Sequence, residues 1–234
     1  MTYKKPPLKP QVTTLWDYPS QHYGTGMQGS AKYRGATPSY VIWNLLNRYT
    51  REGDMVVDPM CGSGTTIDVA NDLNRRARGF DLQPQRGDID LADARELPLG
   101  DETIDFVFID PPYSTNLKYS DDPRCIGKLS AAGSAYFEAL ADVYEEAFRV
   151  LKNRRYIAIY LCDVWNKKEG FLPIGAATVM QLSQYFRIVD HISVVRRNKS
   201  LKKGNHRKAA EDGNYFLRGF NHLIIGKKVD EPAE

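Results

Sequence analysis

Phe106-Val107-Phe108-Ile109-Asp110-Pro111-Pro112-Tyr113 is the stretch on which the reading of this chain turns. The run from Ile104 to Ile109 is short, apolar and rich in β-branched and aromatic residues, which predicts a buried strand that stops at Asp110. Two consecutive prolines then fix φ and remove two N–H donors. The turn is therefore rigid, and the carbonyls of Asp110 and Pro111 lack helical partners. Tyr113 adds an aromatic face. A carboxylate, free carbonyls and an aromatic ring at the carboxyl end of a strand suit the grip of a planar ring that bears an amino group. Taken alone, the same residues serve equally well as a plain strand terminator.

A second motif lies upstream. Met55-Val56-Val57-Asp58 reads as another short buried strand closing on an aspartate, and Pro59-Met60-Cys61-Gly62-Ser63-Gly64-Thr65-Thr66 turns from it into a helix through Leu73. Gly62 and Gly64 let backbone approach a ligand, and the helix opened by Thr65 and Thr66 presents its N–H groups to the same space. The loop lacks the lysine of a phosphate-binding P-loop and the third glycine of the dinucleotide fingerprint, so neither triphosphate hydrolysis nor hydride transfer is expected. Ala77 to Asp81 follows as a second strand ending in an acid. That acid lies about 20 residues past the glycines, where doubly wound folds hold ribose hydroxyls.

The remaining chain continues the alternation. Thr37-Pro38 forms a start signal, with Thr37 as cap and Pro38 in the first turn, for an amphipathic helix through Tyr49. Ile89 to Asp93 is a candidate third strand. Ser114 to Gly133, which includes Tyr119 and Arg124, is too long and polar for an ordinary connection and reads as a functional loop. A core helix is expected over Ser134 to Leu151, a strand over Tyr156 to Cys162 ending in Asp163, and a helix over Ile174 to Tyr185. Strands over Phe186 to Val195 and Asn221 to Gly226 would pair as an antiparallel hairpin. Strands alternating with helices give a mostly parallel α/β sheet, with ligands beyond the carboxyl ends. Asp58, Asp81, Asp93, Asp110 and Asp163 should then ring one crevice.

Between the last two strands lies Arg196-Arg197-Asn198-Lys199-Ser200-Leu201-Lys202-Lys203-Gly204-Asn205-His206-Arg207-Lys208. So dense a run of cations cannot be buried and is expected as a solvated loop. Solubility is its neutral explanation. Beside a base-sized pocket, Arg196, Arg197, Lys199, Lys202, Lys203, Arg207 and Lys208 would contact a phosphate backbone, helped by Phe216 and Arg218.

Composition sets limits. The chain has 234 residues, 42% hydrophobic and 26% charged, with net charge +3. It reads as a soluble cytoplasmic domain, without a run of roughly 20 apolar residues to span a membrane and without a signal-peptide core near Met1. Cys61, Cys125 and Cys162 have no metal-ligand or disulfide spacing, so no metal is expected. The expected division is an arm over 1–36, a single domain over 37–228 with a basic insertion at 196–218, and a tail at 229–234.

With both motifs in view, the chain resembles the S-adenosylmethionine-dependent amino-methyltransferases of nucleic acids, whose glycine motif runs Asp-Pro-Phe-x-Gly-Ser-Gly-Thr and whose catalytic motif is Asp/Asn/Ser-Pro-Pro-Tyr/Phe/Trp. Here they stand as Asp58-Pro59-Met60-Cys61-Gly62-Ser63-Gly64-Thr65 and Asp110-Pro111-Pro112-Tyr113, with Met60 in place of the family's Phe. The resemblance implies a Rossmann-like class I methyltransferase fold, a seven-stranded mostly parallel sheet with an antiparallel C-terminal hairpin. It implies S-adenosylmethionine as cofactor, held by Thr37 and Pro38 in the segment that closes over its methionine end. Further contacts are implied from Asp58, Pro59, Cys61, Gly62, Ser63, Gly64, Thr65 and Thr66 in the glycine turn, Asp81 and Leu82 at the ribose, and Asp93 and Ala94 at the adenine. Asp110, Pro111, Pro112 and Tyr113 become the catalytic set, acting on a base flipped out of its stack, with Tyr119 and Arg124 holding the displaced strand. DNA adenine at N6 is the preferred target, because the leading acid is Asp. Cytosine at N4 and a transfer-RNA guanine at N2 are the alternatives, and a nucleic-acid-binding protein with a vestigial cofactor site is the reading from another class. The expected partner is DNA, or else RNA, in a restriction-modification setting, met by a monomer or homodimer with no membrane involved.

Overall fold

A computed structural model of the chain describes residues 8–18, 20–24, 26–30, 33, 35–197 and 199–229, without the side chains of 199 and 200. Parts of the expected arm, most of the expected tail and the Lys199 side chain therefore lie outside the described residues. In chain order the elements are β1 (Leu15–Trp16), α1 (Ser39–Tyr49), β2 (Met55–Asp58), α2 (Thr65–Asp72), β3 (Arg76–Asp81), β4 (Ile89–Leu91), β5 (Ile104–Ile109) and α3 (Ser134–Val150). There follow β6 (Leu151–Leu161), β7 (Val164–Asn166), β8 (Gly170–Leu172), α4 (Ile174–Leu182), β9 (Arg187–Val195), α5 (Gly204–Asp212) and β10 (Phe220–Lys227).

One sheet runs in the order β1-β9-β10-β6-β5-β2-β3-β4. Strands β2 to β6 pair in parallel, and β10 lies antiparallel between β6 and β9. The seven expected strands are all present, and the arm adds an eighth: β1 pairs in parallel with β9. Strand order reverses at β2, with β3 on one side and β5 on the other. Such a switch point opens a crevice at the carboxyl ends of the two central strands.

Alternation along β5 shows why this stretch is buried on both faces. Phe106 and Phe108 pack in a layer with Val41, Leu45 and Leu46 of α1 and Val69 of α2, while Val107 and Ile109 face Tyr136, Leu140 and Tyr144 of α3. Trp16, Tyr18 and Tyr23 of the arm join the first layer, so the arm is part of the core. Burying each such side chain contributes about 1.5–3 kcal/mol.

Three expectations are corrected. The α1 helix begins at Ser39 with Pro38 extended at the cap (ψ 126°), and Thr37 makes no cap bond. Its hydroxyl instead donates to the Asp110 carboxylate. Nor is the basic stretch simply a loop, since it holds a 3₁₀ turn at Lys199–Lys202 and then α5. Cation density forbids burial but not helix formation, and Arg207 to Glu211 are good helix formers, with Ala210 turned inward. Asp163 does not join the acids at the crevice. Its carboxylate accepts the Gly175 amide at 2.8 Å in the first turn of α4 and pairs with His222 Nε2 at 3.1 Å. An unforeseen ribbon, β7 with β8, follows it.

At the opposite end of the sheet, Asp105 is 3% exposed and accepts hydrogen bonds from Met55 N at 2.9 Å and Lys152 Nζ at 2.8 Å, with Arg155 Nη2 at 3.0 Å. Burial pushes its carboxyl up, but Lys152, the Met55 amide and Arg155 outweigh this and hold it below the ordinary carboxylate range. Asp105→Ala should destabilise the protein by about 2–4 kcal/mol, read as a lower urea midpoint at neutral pH. A group with a lowered folded pKa contributes its stability above the unfolded pKa and loses it in acid, so the difference between the variant and wild type should narrow below about pH 4.

Candidate active site

β2 and β5 are neighbours, with Val56 opposite Phe106 and Val57 opposite Val107, so the turns after Asp58 and Ile109 leave the sheet side by side. They open into one cleft whose empty space, counted out into the solvent at its mouth, is about 920 Å³. Its walls include Asp58, Pro59, Cys61, Gly62, Ser63, Thr65, Thr66, Asp81, Leu82, Asp93, Ala94, Asp110, Pro111, Pro112, Tyr113, Thr37, Tyr119 and Arg124.

Asp58 is 4% exposed and accepts from Thr66 Oγ1 at 2.5 Å and Met60 N at 3.1 Å. Burial pushes its carboxyl up to about 7 in spite of those donors. It is thereby tied to the glycine turn and the start of α2. Asp81 accepts the Gly62 amide at 2.9 Å and the Gln83 amide at 2.8 Å, which pins the end of β3 to the glycine turn. Asp93 forms a two-pronged pair with Arg95, Nε to Oδ1 at 2.9 Å and Nη2 to Oδ2 at 2.7 Å. Burial pushes the Asp93 carboxyl up, but Arg95 outweighs that and holds it low.

Gly62 has φ 52°, and a Cβ there would lie 2.8 Å from the ring of Tyr33. A side chain at 62 would therefore displace the arm from the glycine turn. Gly64 also has positive φ, 81°, but it does not line the cleft. Arg86 fills the space a Cβ would need and donates to the Ser63 carbonyl at 3.3 Å and to Asp68 at 3.0 Å. Pro38 is likewise outside the cleft, since it serves the cap of α1.

The proline turn is held from both flanks. Asp110 accepts from the Thr37 hydroxyl on one oxygen and from the Tyr113 hydroxyl, at 2.6 Å, on the other. Each oxygen keeps a further lone pair for an incoming donor. Burial, against these two hydroxyls and with Asp58 adding repulsion, raises the Asp110 carboxyl to about 7. Pro112 O accepts from Tyr136 Oη at 2.7 Å, which anchors the turn on α3. Among the described residues nothing donates to the Pro111 carbonyl, which stays available as an acceptor.

The basic residues divide. Arg196 Nη1 contacts Cys162 Sγ at 3.0 Å, and Arg197 pairs with Asp17 of the arm, so both are engaged within the chain. Lys202, Lys203, Arg207 and Lys208 are exposed. Arg124 lines the cleft while paired with Asp122 at 2.7 Å. The cleft also takes in Tyr33, Gly35 and Ala36 of the arm, Met60, Ala92, Ser120, Cys125 and Ile126. Of these, the arm residues carried no periodicity or motif by which to find them.

The fit to an adenosyl group rests on three features. An acid fixed at the end of β3 faces the cleft, a glycine turn gives close backbone access, and Leu82, Ala92, Ala94 and Ile126 supply apolar wall for a ring. The DNA methylase family model for N6 and N4 methylation matches residues 1–90. Over these residues, fewer than half of the chain, the sequence is similar to the N6/N4 DNA methylases. The match includes the glycine turn and ends before Asp110-Pro111-Pro112-Tyr113.

Two curated relatives show similarity over short stretches. One is the type II methyltransferase M2.DpnII of Streptococcus pneumoniae, 38% identical over 24% of this chain and 21% of its own length. The other, from Haemophilus influenzae, is described as a probable type III restriction-modification enzyme HindVI Mod subunit, 33% identical over 30% of this chain and 10% of its own. The chain thus matches about a fifth and a tenth of the lengths of these relatives. Among solved structures, geranyl diphosphate C-methyltransferase from Streptomyces coelicolor A3(2), crystallised with S-adenosyl-L-homocysteine, superposes with TM-score 0.53 at 14% identity. The overlap covers 82% of this chain and 78% of that one. The fold is the Rossmann-like class I methyltransferase fold. Among the described residues no helix is long and apolar enough to cross a membrane.

If Asp110 must accept hydrogen bonds as a carboxylate, kcat/KM for methyl transfer should rise with pH through about 7. Tyr113→Phe removes one stabilising donor and should displace that limb to higher pH, by about one unit, in a pH–rate profile.

Proposed function

We propose that this protein transfers a methyl group to the exocyclic amino group of a DNA base, adenine N6 ahead of cytosine N4. The methyl donor is S-adenosylmethionine. The observation that carries the reading is the sharing of one cleft by the glycine turn, Asp81 and the Asp110-Pro111-Pro112-Tyr113 turn. In this reading residues 37–228 carry the catalytic set, the arm before them is built into the same core and cleft, and the acting unit is a monomer or homodimer.

An aromatic amine is a poor nucleophile because its lone pair is delocalised into the ring. When bound, S-adenosylmethionine supplies an electrophilic methyl group on sulfur. The residues of the chain have to prepare the nitrogen. Asp110 and the Pro111 carbonyl each accept one amino hydrogen, which draws the nitrogen toward sp³ geometry and stabilises positive charge as it develops. Thr37 and Tyr113 hold Asp110 in place, and Tyr136 holds the second proline, so orientation is established before the base arrives. The amino group inside a duplex cannot reach this turn, so the base leaves the stack at a cost of about a few kcal/mol. Tyr119 and Arg124, which line the cleft, are the residues that would meet it.

Labelled S-adenosylmethionine incubated with duplex DNA and with transfer RNA tests this directly. Label should enter DNA, and nucleoside analysis should return N6-methyladenine. N4-methylcytosine would replace the base assignment, and label confined to transfer RNA, protein or small molecules would remove the DNA reading. Asp110→Ala should lower the rate about 100-fold or more, and full activity in that variant would remove the mechanism.

A further inference from the structure

Because β10 is antiparallel to both β6 and β9, β9 runs parallel to β6 and ends at the same side of the sheet as the catalytic turn. Residues 196–219 rise from that edge. Three contacts brace the region. Tyr215 stacks on Trp165 of β7 with centroids 3.7 Å apart and planes 9° apart, and Arg218 lies 5.1 Å over the ring of Phe171 in β8. The β7–β8 turn is joined in turn to the cleft-lining loop, where Ser130 Oγ donates to Glu169 at 2.6 Å.

Phe216 stands between the two bracing residues with its carbonyl held by Arg218 at 2.5 Å, and its ring is 85% exposed. Among the described residues it is the most exposed large apolar side chain. An apolar ring on a braced turn, held in water beside cations, fits a partner that is both anionic and able to accept a flat ring. Lys202, Lys203, Arg207 and Lys208 of the preceding turn and α5 are exposed and form no ion pair among the described residues; Arg207 borders the same surface hollow as Phe216, as does Glu211 at the end of α5.

We propose that Phe216 is a wedge that enters a DNA duplex and fills the space left when the target base leaves the stack. The inference rests on the DNA reading above. Removing one base from a duplex leaves its neighbours unstacked, and an inserted apolar side chain restores a stacking partner on the protein's side. The four cations supply sequence-blind phosphate contacts that hold the wedge in register. Single-stranded DNA has no such gap, and the wedge contributes there little beyond a general contact.

The test compares methyl incorporation from labelled S-adenosylmethionine into intact and heat-denatured genomic DNA. Phe216→Ala should lower the ratio of duplex to single-strand rate about tenfold, and Phe216→Trp, which keeps a stacking face, should restore most of it. The exposed position predicts a Tm within about 2 °C of wild type for both variants. A ratio unchanged in Phe216→Ala, or both rates falling together, would overturn the wedge while leaving DNA methylation standing. Failure of the wild-type protein to label either form of DNA would overturn the DNA reading and the wedge with it.

Discussion

Parallel pairing of two short strands, Val56-Val57 against Phe106-Val107, is the constraint from which the site follows. Each strand is buried on both faces, so its register is set by the core. A slip of one residue would exchange Phe106 and Phe108 with Val107 and Ile109 between layers of different shape. With register held, Asp58 and Asp110 emerge at one end of the sheet, where the order of strands reverses. The glycine turn and the proline turn then face a common space.

That arrangement sets two carboxyl groups in a poorly solvated place, and the structure answers with short hydroxyl donors rather than with cations. Thr66 and the Met60 amide serve Asp58, and Thr37 and Tyr113 serve Asp110. Burial still dominates and lifts both to about 7. A carboxyl raised in the folded state favours folding when protonated and opposes it as pH rises through its folded pKa, so ionising either group works against the fold between about pH 4 and 7. Cations would relieve that strain, but they would also occupy the acceptor lone pairs. The surrounding layers, with Trp16, Tyr40, Leu45 and Tyr136 fully or nearly buried, supply the stability that tolerates it. Perturbed groups clustered in a cleft are the usual mark of a chemical site rather than of a structural one.

Around this centre the rim is assembled from segments distant in sequence. The arm contributes β1 to the sheet edge, Trp16, Tyr18 and Tyr23 to one core layer and Tyr33 to the glycine turn. Arg197 ties the insertion after β9 to Asp17 of the same arm. The loop before α3 and the β7–β8 ribbon are joined through Ser130 and Glu169. The family match covers the arm and the glycine turn, and the agreement in fold extends over most of the chain at low identity.

How much of this was legible beforehand depends on the range of the interactions involved. Strands β2, β3 and β5, the helices after them, the antiparallel ending and the two turns were readable, because period, proline and glycine act within a few residues. Four of the five strand-end acids meet at the cleft, as a doubly wound sheet requires. What local rules could not reach were choices between competing partners. Thr37 has the chemistry of a cap and was drawn to Asp110, 73 residues away. Asp163 ends its strand like the others and was taken by Gly175 and His222. Gly64 gives way to Arg86, and Arg196 and Arg197 turn to Cys162 and Asp17. The basic run folded into α5 because its charges constrain exposure, not backbone. The sequence by itself determined the sheet and the chemistry of its two turns through short-range sterics and hydrophobic period. Which hydroxyl holds the acid, which cations stay free and which aromatic stands out in water were decided only when distant segments met, since each such contact is a competition that neighbours in sequence do not settle.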